Sequence, residues 1–178
     1  MRSLLTAAAA LCLLAASTTP ASASGSGAFE LYRAGADAVT YDPNMVPVGS
    51  RAAVIPFTTG KTTVVLLIVH GLLPNRHYGA HVHTKPCGPD PADAGPHFQN
   101  KPDPVTPSVD PAYANPENEV WLDFVTGPHG QAVATAKVRW RFGDRPAGSL
   151  VIHRDHTHTE PGQAGVAGPR LACVNADF

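Results

Sequence analysis

Four histidines and a cysteine carry the chemistry that this sequence can offer. His81 and His83 flank Val82 in H-V-H, Cys87 follows, and His97 sits in G-P-H-F. Side chains on a β-strand alternate between its two faces. His81 and His83 therefore project from one face, and Val82 turns the other way, toward a core. Two imidazoles side by side can share a metal ion. His153 lies far downstream in S-L-V-I-H-R, a short apolar run that also reads as a strand. We take His81, His83, His97 and His153 as one candidate metal site. Imidazole suits copper, and a nitrogen-rich site with an open position suits a one-electron couple.

Those residues need strands to position them, and the rest of the chain supplies the pattern. From Ala38 onward, short strand-like runs alternate with clusters of Gly, Pro, Asn and Asp. Strands are expected near 38–41, 52–57, 62–70, 78–83, 120–126, 131–142, 149–154 and 171–175. The clearest is the run from Gln131 to Phe142. Ala132, Ala134, Ala136, Val138, Trp140 and Phe142 fall on one face; Thr135, Lys137, Arg139 and Arg141 fall on the other. The turn T-G-P-H-G at 126–130 is expected to join this strand to the one before it as a hairpin. No helical pattern occurs after the N-terminal segment. The fold class is all-β, a sandwich or barrel. The stretch 84–118 breaks the rhythm: it holds nine of the chain's 18 prolines and no periodicity. A long irregular stretch inside a domain of this size is usually functional. It carries Cys87 and His97, so it is expected to build part of the site, stiffened by proline.

The 178 residues suffice for one domain with a sizeable core. Residues 1–23 read as a secretory signal peptide: Arg2, an apolar run from Leu4 to Ala16, then Ala21-Ser22-Ala23. The run is too short to span a membrane. Cys12 follows Leu11 rather than a small residue, so it is expected to leave with the leader and not to carry lipid. Residues 24–37 are a flexible lead-in or a first strand, and 38–178 form the β domain. Without Arg2 the 13 basic residues become 12, against 14 acidic ones. That balance gives no reason to expect a nucleic-acid partner. Cys87 and Cys173 remain as an even pair in an oxidising compartment.

His81-Val82-His83, Gly95-Pro96-His97-Phe98, the strand ending at His153, and Gly168-Pro169-Arg170-Leu171-Ala172-Cys173 occur in that order. In this the chain resembles the copper/zinc superoxide dismutase family, over most of its length from about Val39 on. The resemblance implies an eight-stranded Greek-key β-barrel with a long Pro-rich loop at the metal site. It implies His81, His83 and His153 as copper ligands, and His97 as the histidine that in the family bridges copper and zinc. Arg170 corresponds to the arginine that guides superoxide to copper. Cys87 and Cys173 correspond to the disulfide. In the family's cycle one superoxide leaves as oxygen. A second takes two protons and leaves as hydrogen peroxide, and His97 gives one of those protons.

The departures are as informative. The family's zinc is held by the bridging histidine, two further histidines and an aspartate. Between His97 and His129 this chain has no histidine, only carboxylates such as Asp103, Asp110 and Asp123. These make a poor substitute for a nitrogen-rich zinc site, so no zinc is expected. The segment from His153 to Arg170 also looks shorter than the family's electrostatic loop. Both features resemble the copper-only branch of the family, where a glutamate holds the bridging histidine; Glu119 is the positional candidate. His156 and His158 could line the channel, bind a second metal or sit in an exposed loop, and we favour the loop. Asp155 and Glu160 flank them; His70, His77 and His129 read as structural or exposed. The sequence thus points to an exported superoxide dismutase with no membrane span; it does not fix the oligomeric state, for which a monomer is favoured. The alternative is a copper storage or delivery protein on the same fold.

Overall fold

The computed structural model describes residues 24–178. The predicted signal peptide lies outside the described residues. Among those described are nine strands: β1 (Gly25–Ala28), β2 (Ala38–Thr40), β3 (Arg51–Thr59), β4 (Thr62–His70), β5 (His77–His83), β6 (Phe124–Val125), β7 (Ala132–Val138), β8 (Ser149–His153) and β9 (Arg170–Asn175). The lead-in thus contains a strand, which brings the count one above the eight expected. The strands form two antiparallel sheets, ordered β1-β3-β4-β7 and β2-β9-β8-β5-β6. No pairing between named strands joins one sheet to the other, so the architecture is a sandwich rather than a closed barrel. The chain crosses between sheets at β1–β2, β2–β3, β4–β5, β6–β7 and β7–β8.

Period-two patterning explains the core between them. In β4 the residues Thr63, Val65, Leu67 and Val69 are buried, and those between them are partly covered. β7 alternates as its sequence requires, with Ala132, Ala134 and Ala136 inward and Val133, Thr135 and Lys137 exposed. From the other sheet Ala80, Val82, Leu150, Ile152, Ala172 and Val174 meet them. β8 differs: all five residues are buried, because both of its faces are covered.

Two expectations need correction. The turn at 126–130 does form, with Gly127 N–H donating to Gln131 O at 2.8 Å and Gly130 N–H to Gly127 O at 3.0 Å. It does not make a hairpin, because β6 pairs with β5 and β7 with β4, in different sheets. Gly130 is wedged against the β4–β5 connection, where Leu72 N–H donates to its carbonyl at 3.0 Å. Its φ is 71°, and a Cβ there would stand 2.0 Å from Leu72 O, so the turn needs glycine. The docked turn carries the chain from the second sheet back to the first. The strand expected at 120–126 is also reduced to Phe124–Val125. The Asp123 side chain accepts from Ala80 N–H at 3.2 Å, and ladder pairing is interrupted beside it.

The Pro-rich stretch packs over the outer face of the second sheet. It contains one 3₁₀ turn at Pro91–Ala94, capped by Asp90, whose carboxylate accepts from Ala92 N–H at 2.8 Å. Ala94 closes a small cluster with Val151, Cys173, Tyr41 and Cys87. Cys87 and Cys173 are disulfide-bonded with a Cα–Cα distance of 5.7 Å, which ties the start of this stretch to β9.

Candidate metal centre

The site stands on the face of the second sheet that turns away from the sandwich core. Register places His81 opposite Val151, and Val151 opposite Cys173. His83 faces Ser149, and Gly79 faces His153. A register shift after Ile152 then sets His153 opposite Arg170 rather than Leu171, which brings the guanidinium-bearing residue beside the imidazole. His97 comes from the Pro-rich stretch. It forms a bridge with His83, and the next residue, Phe98, donates its N–H to Val82 O at 2.8 Å and buries its ring in the core. A Cβ on Gly79 would lie 2.5 Å from Asp155 O, so the absence of a side chain there lets the 155–167 loop close on the site.

One ligand-capable nitrogen from each of His81, His83, His97 and His153 lies within 4.8 Å of the others. Nitrogens on opposite sides of an ion that binds each at about 2 Å are about 4 Å apart. Small side-chain shifts therefore suffice to close the set on a metal.

The outer nitrogens fix the direction of the inner ones. His83 Nδ1 lies 2.9 Å from Gly95 O and His153 Nδ1 lies 3.2 Å from Gly168 O. A carbonyl only accepts, so both Nδ1 atoms carry the proton and both Nε2 atoms keep a lone pair. Those two Nε2 atoms face each other at 3.4 Å. Thr157 donates its hydroxyl to Asp123 at 2.7 Å, which leaves its oxygen to accept from His81 Nε2, also at 2.7 Å. His81 Nδ1 is left buried with no hydrogen-bond partner. His97 Nδ1 donates to Glu119 Oε2 at 2.8 Å. Four lone pairs thus converge on one point, an arrangement that is costly empty of charge and that fits a cation. Burial, and then the neighbouring imidazoles, push His81 and His83 well below the usual histidine range. Burial and His97 take His153 down to about 3. Neutral rings are the form a metal binds.

Glu119 is 1% exposed and takes three donors. Besides His97, Trp121 Nε1 donates at 2.7 Å and Gln99 Nε2 at 2.8 Å. Arg170 donates to Pro91 O at 2.8 Å and Gly95 O at 2.7 Å, and forms no ion pair among the described residues. Gly95 O therefore serves both His83 and Arg170. A cleft of about 700 Å³ opens in front of His97, His153 and Arg170, between the 102–109 segment and the 165–168 turn. Asp103 and Asp110 spend carboxylate oxygens on nearby backbone N–H groups of the Pro-rich stretch.

Sequence reading missed Thr157, Gln99 and Trp121, and weighed Asp123 only as a zinc ligand. Two signals were available. Trp121 stands two residues after Glu119 in an extended segment, hence on the same side. Thr157 lies between His156 and His158, so if those rings face solvent it faces inward. Both are indeed about half exposed. His156 Nδ1 lies 3.9 Å from Asp123 and its ring packs on His77, while His158 Nδ1 lies 3.5 Å from Glu160. Asp155 pairs with Arg154 instead.

The sequence matches no family model, and no curated protein matches it. Solved structures do match in fold. A Cu/Zn superoxide dismutase from Brucella abortus is 18% identical, with a TM-score of 0.51, over 71% of this chain and 88% of that one. A mutant of a superoxide dismutase-like protein from Bacillus subtilis is 15% identical, with a TM-score of 0.53, over 70% and 88%. A double mutant described as a SOD-like protein from the same organism is 17% identical, with a TM-score of 0.51, over 70% and 87%. The chain therefore has the two-sheet β fold of the copper/zinc superoxide dismutases, with a group of four histidines suited to a metal on the outer face of one sheet.

Proposed function

We propose that the protein is an exported superoxide dismutase. Residues 1–23 act as its signal peptide, and His81, His83, His97 and His153 hold one copper ion with no zinc beside it. The observation that carries this reading is the convergence of four imidazole lone pairs, each tautomer set by an acceptor on the ring's far side. Copper, when bound, supplies a one-electron couple suited to passing an electron between two superoxide ions. The chain's own part is positional and electrostatic. Glu119 keeps the proton of His97 on Nδ1, so that Nε2 faces the site; this is the orienting role that carboxylates take around metal-binding histidines. Arg170, half-buried and in no ion pair among the described residues, draws a small anion into the cleft. His97 reaches the cleft wall, so its Nε2, whenever it is not holding the metal, can take a proton from solution and pass it to the departing peroxide.

The test is the decay of pulse-generated superoxide in the presence of the copper-loaded protein. A first-order component proportional to protein concentration is expected. Unchanged second-order decay would overturn the enzyme and leave a copper carrier. Elemental analysis after refolding with both metals should find copper alone; one tightly held zinc per chain would refute the copper-only assignment.

A further inference from the structure

The outer face of the β1-β3-β4-β7 sheet has a composition that the metal centre does not explain. Register builds it row by row. Ala53, Ile68 and Val133 lie side by side, then Ile55, Leu66 and Thr135, then Phe57, Val64 and Lys137. An outward face of an antiparallel sheet is normally polar. Here seven of these nine residues are apolar, with Phe57 52% and Val133 66% exposed. A contiguous patch of this kind marks an interaction surface.

Its borders are cationic. Arg51 stands at one end, Lys61 at the β3–β4 turn, Lys137 on β7 and Arg139 just beyond it. The stretches 51–70 and 131–142 contain no Asp or Glu, although the whole chain has 14. None of Arg51, Lys61, Lys137 and Arg139 is in an ion pair among the described residues. A shallow depression of about 400 Å³ opens between Arg51, His70, Ala53 and Ile68 at the edge of the same face.

We infer that this face docks on a bilayer bearing anionic lipid headgroups. An apolar centre enters the interfacial layer while a ring of lysine and arginine meets the headgroup charge. A second copy is a poor occupant. Two such faces would bring Arg51, Lys61 and Lys137 of both copies together, and the stretches 51–70 and 131–142 offer no acid to answer them. The metal centre lies on the outer face of the opposite sheet, so a docked molecule keeps its cleft open to solution.

Co-sedimentation of the exported protein with vesicles tests this. Binding is expected to phosphatidylcholine vesicles containing phosphatidylglycerol, with release on raising salt, and not to phosphatidylcholine alone. Each cation neutralised, K137Q or R139Q, should weaken binding by about fivefold. Phe57→Ser with Val133→Thr should abolish it while circular dichroism and copper content stay as in the parent. Equal binding to both vesicle types, no binding to either, undiminished binding by these variants, or a dimer in solution that Phe57→Ser dissociates would each overturn the inference.

Discussion

In the β2-β9-β8-β5-β6 sheet both faces are covered: one by the opposing sheet, the other by the Pro-rich stretch and the 155–167 loop. The β1-β3-β4-β7 sheet is covered on one face only. The same alternation of side chains therefore has different outcomes. On β4 the outward Val64, Leu66 and Ile68 stay partly accessible. On β5 the outward His81 and His83 are fully buried. Burial lowers the dielectric around the imidazoles, removes their water and leaves their lone pairs to one another. The difference teaches that the candidate metal centre is made by its cover as much as by its strands. His97 and Gln99 come from that cover, and Glu119 directly follows it.

The sharpest way to break the contrast is to loosen the cover. Cys87 and Cys173 are 86 positions apart. A bridge closing a loop of that size stabilises by about 4–5 kcal/mol in the chain-entropy view. Reduction, or Cys87→Ser with Cys173→Ser, should lower stability by that order and also weaken copper binding, because the bridge holds the stretch that carries His97. Denaturant unfolding and copper titration of the same samples check both; unchanged copper affinity in the folded, reduced protein would remove the positioning role. Next in size is Glu119→Gln, which keeps the shape and removes the charge that orients His97. A loss of about 10- to 100-fold in copper affinity or turnover is expected, while Glu119→Asp should recover part of it. A paired substitution then sets the sheets side by side. Val151→Ala lies under the cover and should cost about 2 kcal/mol; Val133→Thr on the bare face should stay within about 0.5 kcal/mol. Equal costs in urea unfolding would mean that the bare face is covered in solution.

What the sequence made legible follows the same division. β7 was readable because one side is wet, so its polar residues mark the register. The H-V-H pair and the strand ending at His153 were readable because period two is local. The rest depended on contacts between distant segments. The hairpin expected at 126–130 failed because a Gly-Pro turn has the same composition whether it returns a strand or docks on another connection. The order of landmarks, by resemblance, named Arg170 and Glu119, and the structure sets them beside His153 and His97. Nothing local announces that Thr157 accepts from His81, since that bond spans 76 positions and arises only when the 155–167 loop folds over Gly79.

A comparison across pH reads the cover most directly. His153 is held down to about 3, and His81 and His83 well below 6.5, chiefly by burial. In the unfolded chain the same rings take up protons near pH 6.5. Between that value and about 3, the unfolded state binds more protons than the folded one, so stability rises with pH and falls as the solution is acidified. Each buried ring adds at most about 1.4 kcal/mol per pH unit to that slope. Urea midpoints of the metal-free protein should therefore drop steadily from pH 7.5 to pH 5. His153→Gln should flatten the decline, and Val133→Thr, which changes no titrating group, should leave it alone. A flat profile in the parent protein would mean that water reaches the imidazoles, and that the Pro-rich stretch does not seal the sheet without its metal.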